Sequence, residues 1–297
     1  MTWGGVIAER EGETIMGSEE VKAGVGIGIK RKSKHSAAEN TLRLAACSDL
    51  RRGILIYLDS GKKSLSDLRD GLEVSSTTAI HALRELEKGN LVFQDEDRNY
   101  ALTKIGEVIT LKLADFISAI EVLKKHEDFW LTHDLSGIPP HLMEKIGWLN
   151  CSNMIKIDAL DIIKTHKSYI SFLETAKWIK GVSSIFSPDY PTIFEDLVKH
   201  TVIQLILTES VLDKVIDTVG LKNLKYPLSK GYLEIFTIEE DAKVAFTVTD
   251  TFLSLGSFKF DGTYNTTLDL ICTEERAVCW GVELFEHYLK KARKWTI

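Results

Sequence analysis

Between Ala38 and Thr103 the spacing of apolar residues changes character once, and that change fixes what this stretch can become. Up to Lys88 the apolar residues recur at helical intervals. Leu42 and Leu44 come first, followed by Leu50 and then Ile54, Ile56, Tyr57 and Leu58. Later, Ile80, Leu83 and Leu86 make one stripe over Thr77–Lys88, since residues three and four apart share a helix face. Between these stretches, after the turn Asp59–Lys63, Ser64-Leu65-Ser66-Asp67 has the form of a capping box, with Leu65, Leu68 and Leu72 on one side. Gly89-Asn90 reads as a helix C-cap. Beyond it the runs Leu91–Gln94 and Arg98–Thr103 read as short strands around the tight polar turn Asp95-Glu96-Asp97. Helix, helix, turn, helix, hairpin is the order of a winged helix-turn-helix.

The residues that follow, 104 to about 125, predict one long helix. Ile109, Leu113, Phe116, Ile120 and Leu123 form a seam with alternating spacings of four and three. Such a seam fits either a helix packed on its own core or a pairing with a second copy; a DNA-reading context favours the second. Beyond Asp128 the pattern turns to mixed α/β. A helix-rich stretch from about His141 to Lys177 precedes strands at Trp178–Phe186 and Val202–Leu207, alternating with helices from Pro191 and over Ser210–Val219. Three β-rich runs follow at Tyr232–Ile238, Lys243–Thr249 and Thr251–Phe258, and an amphipathic helix closes the chain over Glu275–Lys294. Alternating elements of this kind predict a mostly parallel sheet with helices on its faces. The fold class is therefore mixed α/β. A tail (residues 1–38) precedes a winged helix-turn-helix (39–110), a linker or dimerisation helix (111–125) and an α/β regulatory domain (126–297).

Composition narrows the function. The 297 residues carry 37 Lys and Arg against 43 Asp and Glu, a net charge of −6, which excludes binding nucleic acid by bulk positive charge but permits a local patch. Residues 39–110 hold ten Lys or Arg and twelve Asp or Glu, so any positive surface there is local: Arg51 and Arg52, Lys62 and Lys63, Arg84, and the Lys30–Lys34 run in the tail. The four cysteines are scattered without CxxC spacing, and no apolar run approaches the ~20 residues of a membrane helix. A reducing cytoplasm and no membrane partner are the expectation. His126, His133 and His141 are spaced too widely for a helical metal pair and read as surface residues around a Pro-Pro loop. No metal and no cofactor is expected; GVGIGI (Gly24, Gly26, Gly28) lacks the lysine and hydroxyl of a phosphate loop.

A winged helix places its third helix in the major groove. With Ile80, Leu83 and Leu86 inward, Thr77, Thr78, His81, Arg84, Glu85 and Lys88 face outward. Ser75, Ser76 and Thr77 at the helix start suit a phosphate oxygen, because hydroxyls and free N–H groups converge there. Arg84 is the candidate for a guanine contact, its fork matching O6 and N7. Lys62, Lys63 and Arg98 complete the candidate DNA-binding set. The wing tip is otherwise acidic, which keeps a protein-interaction module as an alternative.

Beyond these patterns, His81–Ile109 resembles archaeal regulators related to the MarR and ArsR families. The segment His126–Leu149, HEDFWLTHDLSGIPPHLMEKIGWL, resembles the Fil-type methanogenesis regulatory protein family. So does Asp261–Ala292, with its Trp280-Gly281 and Leu284-Phe285-x-x-Tyr288. The resemblance covers residues 40–295 and implies transcriptional regulation in methane-producing archaea, and it names no ligand. Taken with the seam and the α/β domain, the expectation is a homodimer that reads a double-stranded DNA operator and senses a small-molecule effector. The C-terminal part also resembles the sensor domain of TrmB-type regulators, implying a phospholipase D-like fold. Phospholipase D enzymes use His-x-Lys-x4-Asp followed by Gly-Ser. Here Lys243 and Gly256-Ser257 match, Asp241 stands in the place of the histidine, and Asp250 comes two residues late. Without the imidazole nucleophile a divergent phosphodiesterase is the lesser alternative, and the chain is expected not to be an enzyme. In open α/β sheets ligands bind at the carboxyl ends of strands. That rule selects Ser187, Thr208, Ser210, Thr249 and Asp250, with Lys243 for an anion.

Overall fold

The computed structural model describes residues 36–156, 170–187, 190–239 and 242–297. The glycine-rich and basic runs of the tail, Asp241, and much of the stretch expected to be helical before Lys177 lie outside them.

Four helices open the fold: α1 (Ala37–Ala46), α2 (Asp49–Asp59), α3 (Leu65–Gly71) and α4 (Ser76–Lys88). The hairpin β1 (Val92–Gln94) and β2 (Tyr100–Leu102) and the 22-residue α5 (Lys104–Lys125) follow. Hydroxyl side chains start all five helices. Ser36, Ser48, Ser64, Ser75 and Thr103 each accept a hydrogen bond from a backbone N–H in the first turn, worth about 1 kcal/mol apiece. At Ser64 the box is reciprocal, Asp67 accepting from the Ser64 N–H at 2.9 Å. The core of this unit joins Ala45, Ile54, Leu55, Leu58, Leu68, Leu83 and Leu86 to Leu91 and Tyr100 of the hairpin. Two details differ from expectation. The inward stripe of α4 is Ala79, Ala82, Leu83 and Leu86, with Ile80 only half-buried, because small residues let α4 approach its neighbours. At the end of α4 it is Asn90 (φ 57°), not Gly89, that turns left-handed. The Leu91 N–H then bonds the Leu86 carbonyl at 3.0 Å in a Schellman arrangement. Lys63 also pairs with Tyr100 as a third short bridge beside the hairpin.

The remainder builds one mixed sheet. Along it run β11 (Arg293–Lys294), β7 (Leu233–Ile238), β6 (Val202–Thr208), β5 (Trp178–Ser183), β8 (Val244–Thr249), β9 (Leu253–Lys259), β10 (Leu268–Cys272) and β4 (Asn153–Lys156), with β3 (His133–Asp134) on β9. Among the described residues only β5–β6 and β6–β7 pair in parallel, and every other pairing is antiparallel. The expected mostly parallel sheet is thus corrected to a parallel centre of three strands in an antiparallel frame. The last helix ends at Leu289, and Arg293–Lys294 turns back as β11. On one face α11 (Glu275–Leu289) lays Trp280, Leu284 and Phe285 against Val182, Ile206, Phe246 and Leu255. The short elements α6 (Glu127–Thr132), α7 (Pro140–Met143) and the 3-10 turn Ile146–Leu149 contribute to the same cluster. On the other face α8 (Tyr190–Leu197), α9 (Glu209–Val219) and α10 (Leu221–Lys230) cover Ile179, Ile203, Leu207 and Ile235.

Helix α5 belongs to both halves. Ile109 and Leu113 pack on the first core, while Ala119 and Val122 pack on the second. The 3-10 turn approaches so closely that a Cβ at Gly147 would stand 2.9 Å from the Asp115 carbonyl oxygen and the Ala119 nitrogen of α5.

Candidate functional site

The outward face of α4 is free of the core. Ser75, Ser76, Thr77, Thr78, His81, Arg84 and Lys88 are all exposed, and Glu85 is half-buried. Ser75 Oγ accepts from the Thr78 N–H at 3.2 Å and lies 2.8 Å from Thr78 Oγ1, so the cap is internally satisfied and Ser76 and Thr77 carry the exposed hydroxyls. Lys88 sits 3.6 Å from Glu85, and Arg84 has no ion pair among the described residues. The arrangement offers one guanidinium, one imidazole and several hydroxyls along one helix edge.

The wing is less available than the sequence suggests. Lys62 pairs with Asp95 at 2.8 Å, which holds the Asp95 carboxyl below the ordinary range. The same carboxylate accepts from the Asn99 N–H and so fixes the turn. Lys63 lies over the Tyr57 ring, 5.2 Å from its centroid. Arg98 is exposed at the wing tip and adopts φ 63°. Arg51 and Arg52 serve α1 instead of an external phosphate: Arg51 donates to the Leu44 carbonyl at 2.8 Å and Arg52 to the Ala46 carbonyl at 3.2 Å.

Helix α5 presents an apolar stripe to solvent. Phe116 is 62% exposed and Ile120 44%, and Ile105, Val108 and Leu123 continue the same side. The expected seam therefore divides, with Ile109 and Leu113 turned to the core and Phe116, Ile120 and Leu123 left uncovered.

A cavity of about 1580 Å³ lies on the sheet face beneath α8, α9 and α10. Ser187 and Ser210 line it; Thr208, Lys243, Thr249 and Asp250 do not. Antiparallel pairing explains why the six fail to converge. Thr249 is opposite Ile179 at the start of β5, so Thr249 and Asp250 stand at the end of the sheet away from Ser187, Thr208 and Ser210. There Asp250 accepts from the Lys177 N–H at 2.9 Å, and Thr249 accepts from the Thr251 and Phe252 N–H groups. Lys243, at φ 52°, lies near Asp134, whose carboxyl it helps to hold low after the Ser136 hydrogen bonds.

Sequence reasoning missed a half-buried acid of the cavity wall. Asp269 on β10 lines the cavity together with Thr247, Ser254 and its hydrogen-bond partner Tyr264. Burial pushes its carboxyl up to about 6 despite a hydrogen bond donated by the Tyr264 hydroxyl. Neighbouring β9 makes room: a Cβ at Gly256 would collide with Tyr264 Oη and lie 2.8 Å from Asp269 Oδ1. Two signals were present, an isolated glycine inside a strand and a lone acid within Leu268–Cys272.

Other expected features have structural roles. Ser257 donates to the Asp134 carbonyl at 3.0 Å, tying β9 to β3. His126 and His133 are buried, correcting their reading as surface residues. His126 Nε2 lies 3.1 Å from Ser152 Oγ, and burial lowers its pKa. Asn265 Nδ2 donates to His133 Nε2 at 2.9 Å, so the Nδ1 proton goes to the Phe129 carbonyl at 2.8 Å. Cys272 is buried on β10 while Cys279 is exposed on α11. Among the described residues, no group of three or more His, Cys, Asp or Glu is placed to hold a metal ion, and no helix is long and apolar enough to cross a membrane.

Two family models match the chain in order along its length. Residues 39–121 match the family described as Methanogenesis regulatory protein FilR1, N-terminal domain, and residues 162–291 match its middle domain. The segment 126–149, which carried part of the resemblance, falls between the two matches. The Methanogenesis regulatory protein FilR1 of Methanothrix harundinacea (strain 6Ac) is 30% identical over 257 residues, 85% of this chain; the chain spans 57% of that relative's length. Among solved structures, TrmBL2, an archaeal chromatin protein, aligns at 16% identity over 88% of this chain and 100% of its own, with a TM-score of 0.39. NucT from Helicobacter pylori aligns at 13% identity over 48% of this chain and 98% of its own, with a TM-score of 0.36. With the N-terminal and middle domains matched in order along its length, the chain belongs to the FilR1 family of methanogenesis regulatory proteins.

Proposed function

We propose that this chain is a DNA-binding transcriptional regulator. Residues 1–38 form a tail, 39–110 read a double-stranded operator, 111–125 link and dimerise, and 126–297 sense a small-molecule effector. The observation that carries the reading is the exposed edge of α4. There Ser76, Thr77, His81, Arg84 and Lys88 project from a helix whose opposite side is locked into the core by Ala79, Ala82, Leu83 and Leu86. A helix held rigidly on one side and polar on the other suits the major groove, with Ser75 and Thr78 fixing its start, Arg98 flanking from the wing, and Lys62 and Lys63 beside it. The uncovered stripe of α5 supports the homodimer, since pairing two copies would bury Phe116, Ile120 and Leu123 and set two readers on one palindrome. Cytoplasmic location follows from the same role.

The cavity supports the sensing role, although of the six residues first considered only Ser187 and Ser210 line it. Thr208, Lys243, Thr249 and Asp250 act in this reading as cap, turn and ion-pair residues. The domain binds without turnover, because Asp241 replaces the histidine that phospholipase D-like hydrolysis uses as nucleophile.

The test is a titration of labelled host-genome fragments with the purified full chain, followed by competition with unrelated DNA. Retention of a few fragments against excess competitor supports the reading; equal competition by any sequence removes the specific operator. Failure to retain any fragment at low salt would favour a protein-binding winged helix, the reading that the Lys62–Asp95 pair and the acidic wing support.

A further inference from the structure

Asp269 sits in surroundings that do not suit a carboxylate. It lines a cavity whose apolar lining near it includes Ile155, its register partner on β4, with Ile271 of β10 and Ala245 of β8. Among the described residues, the Tyr264 hydroxyl is its one hydrogen-bond partner, and no Lys or Arg acts on it. A carboxylate so placed is disfavoured unless a positive charge meets it. The three lysines on the cavity wall, Lys199, Lys214 and Lys222, belong to the helical layer over β6 and β7. Asp269 is on β10, four strand spacings from β6, or about 19 Å. The backbone is shaped for the acid nonetheless, since any side chain at Gly256 would displace both Tyr264 and Asp269. Thr247 of β8 and Ser254 of β9, register partners, add two hydroxyls to the lining of the same cavity.

We propose that this end of the cavity receives an organic cation, a small molecule with an apolar body and an ammonium group that Asp269 meets. The site deepens the effector-sensing role and rests on it. The ligand's apolar part lies along the adjoining floor, where Ile155 of β4, Ile271 of β10 and Ala245 of β8 line the cavity. Its charge is neutralised by Asp269, and Tyr264 orients the carboxylate through its hydroxyl.

The test uses three probes of one length, hexylammonium, 1-hexanol and hexanoate, titrated into the full chain at neutral pH by calorimetry and thermal shift. Hexylammonium is expected to bind at least tenfold tighter than hexanol, with hexanoate weakest. Asp269→Asn, which keeps the side chain's shape and can still accept from Tyr264, should bring hexylammonium down to the hexanol level. Equal binding of all three probes overturns the cation assignment while leaving the cavity as a ligand site. A hexylammonium preference that survives Asp269→Asn overturns it too, by moving the charge selection elsewhere. Binding of none of the three overturns both this assignment and the sensing role. The ranking on the unaltered chain stands whether or not the variant folds.

Discussion

Replacing Asp269 with asparagine should make this protein more stable, and only above a certain pH. Burial raises the carboxyl from 3.8 to about 6, so the folded state favours the protonated acid. As pH rises above about 4 the unfolded chain ionises freely while the folded chain resists, and stability is lost until both forms are ionised above about 6. A difference of roughly two pKa units corresponds to at most about 3 kcal/mol. Asparagine carries no such cost. The variant should therefore gain up to about 3 kcal/mol at pH 8, a gain that shrinks as pH falls from about 6 and vanishes below about 4. For a unit of this size that is a rise of about 6–12 °C in Tm at pH 8. Tryptophan fluorescence during urea unfolding isolates the relevant part, because Trp130, Trp148, Trp178, Trp280 and Trp295 all follow α5 and none lies in residues 39–110. No gain at pH 8 would mean that the carboxylate already has a compensating partner. An equal gain at pH 4 and pH 8 would mean that the effect has nothing to do with ionisation.

Arg84→Ala should lower discrimination between operator and mismatched sequence by about 1–3 kcal/mol while leaving binding to random DNA nearly unchanged, measured by competition anisotropy. Unaltered discrimination would mean that α4 does not present this edge to the bases. Asp95→Asn should release Lys62 and strengthen binding to all sequences, with the salt dependence of affinity steepened by about one phosphate's worth; an unchanged slope would place Lys62 away from the backbone. Phe116→Asp combined with Ile120→Asp should yield a monomer in sedimentation velocity, and a persistent dimer would locate the interface elsewhere. Ser64→Ala, which removes the capping box of α3, should cost about 1 kcal/mol by chemical denaturation, and a loss near zero would mean the box contributes no net stability.

The reader was legible in the sequence because its signals are local. A Ser-x-x-Asp box, an Asn after a helical run and an acidic turn between two short strands each act within a few residues, and each formed. Strand direction is not local. Whether Thr249 ends near Ser187 or opposite Ile179 depends on a pairing between β5 and β8 across some seventy positions, which periodicity does not encode. The same holds for Lys62 and Asp95, 33 residues apart, whose pairing engages an expected DNA contact with an acid of the wing. Helix α10 was hidden by Pro227, and β10 by its brevity and its acid. Asp269 was visible as an anomaly, but its meaning needed the glycine on the adjacent strand. Burial of His126 and His133 likewise depends on Ser152 and Asn265, each far along the chain.

Helix α5 sets a condition on how the two halves can be joined at all. Its 22 residues span about 33 Å, and it is gripped at one end by Leu91 and the hairpin and just past its middle by Gly147. Adding one residue at its middle would swing everything beyond by about 100° and shift it by 1.5 Å, so both grips cannot hold. Chain length between reader and sheet is therefore not a free variable, as it would be in a flexible tether. It behaves like the phase of a screw thread: permitted insertions come in near-whole turns, and a displacement at one grip must reappear at the other as rotation.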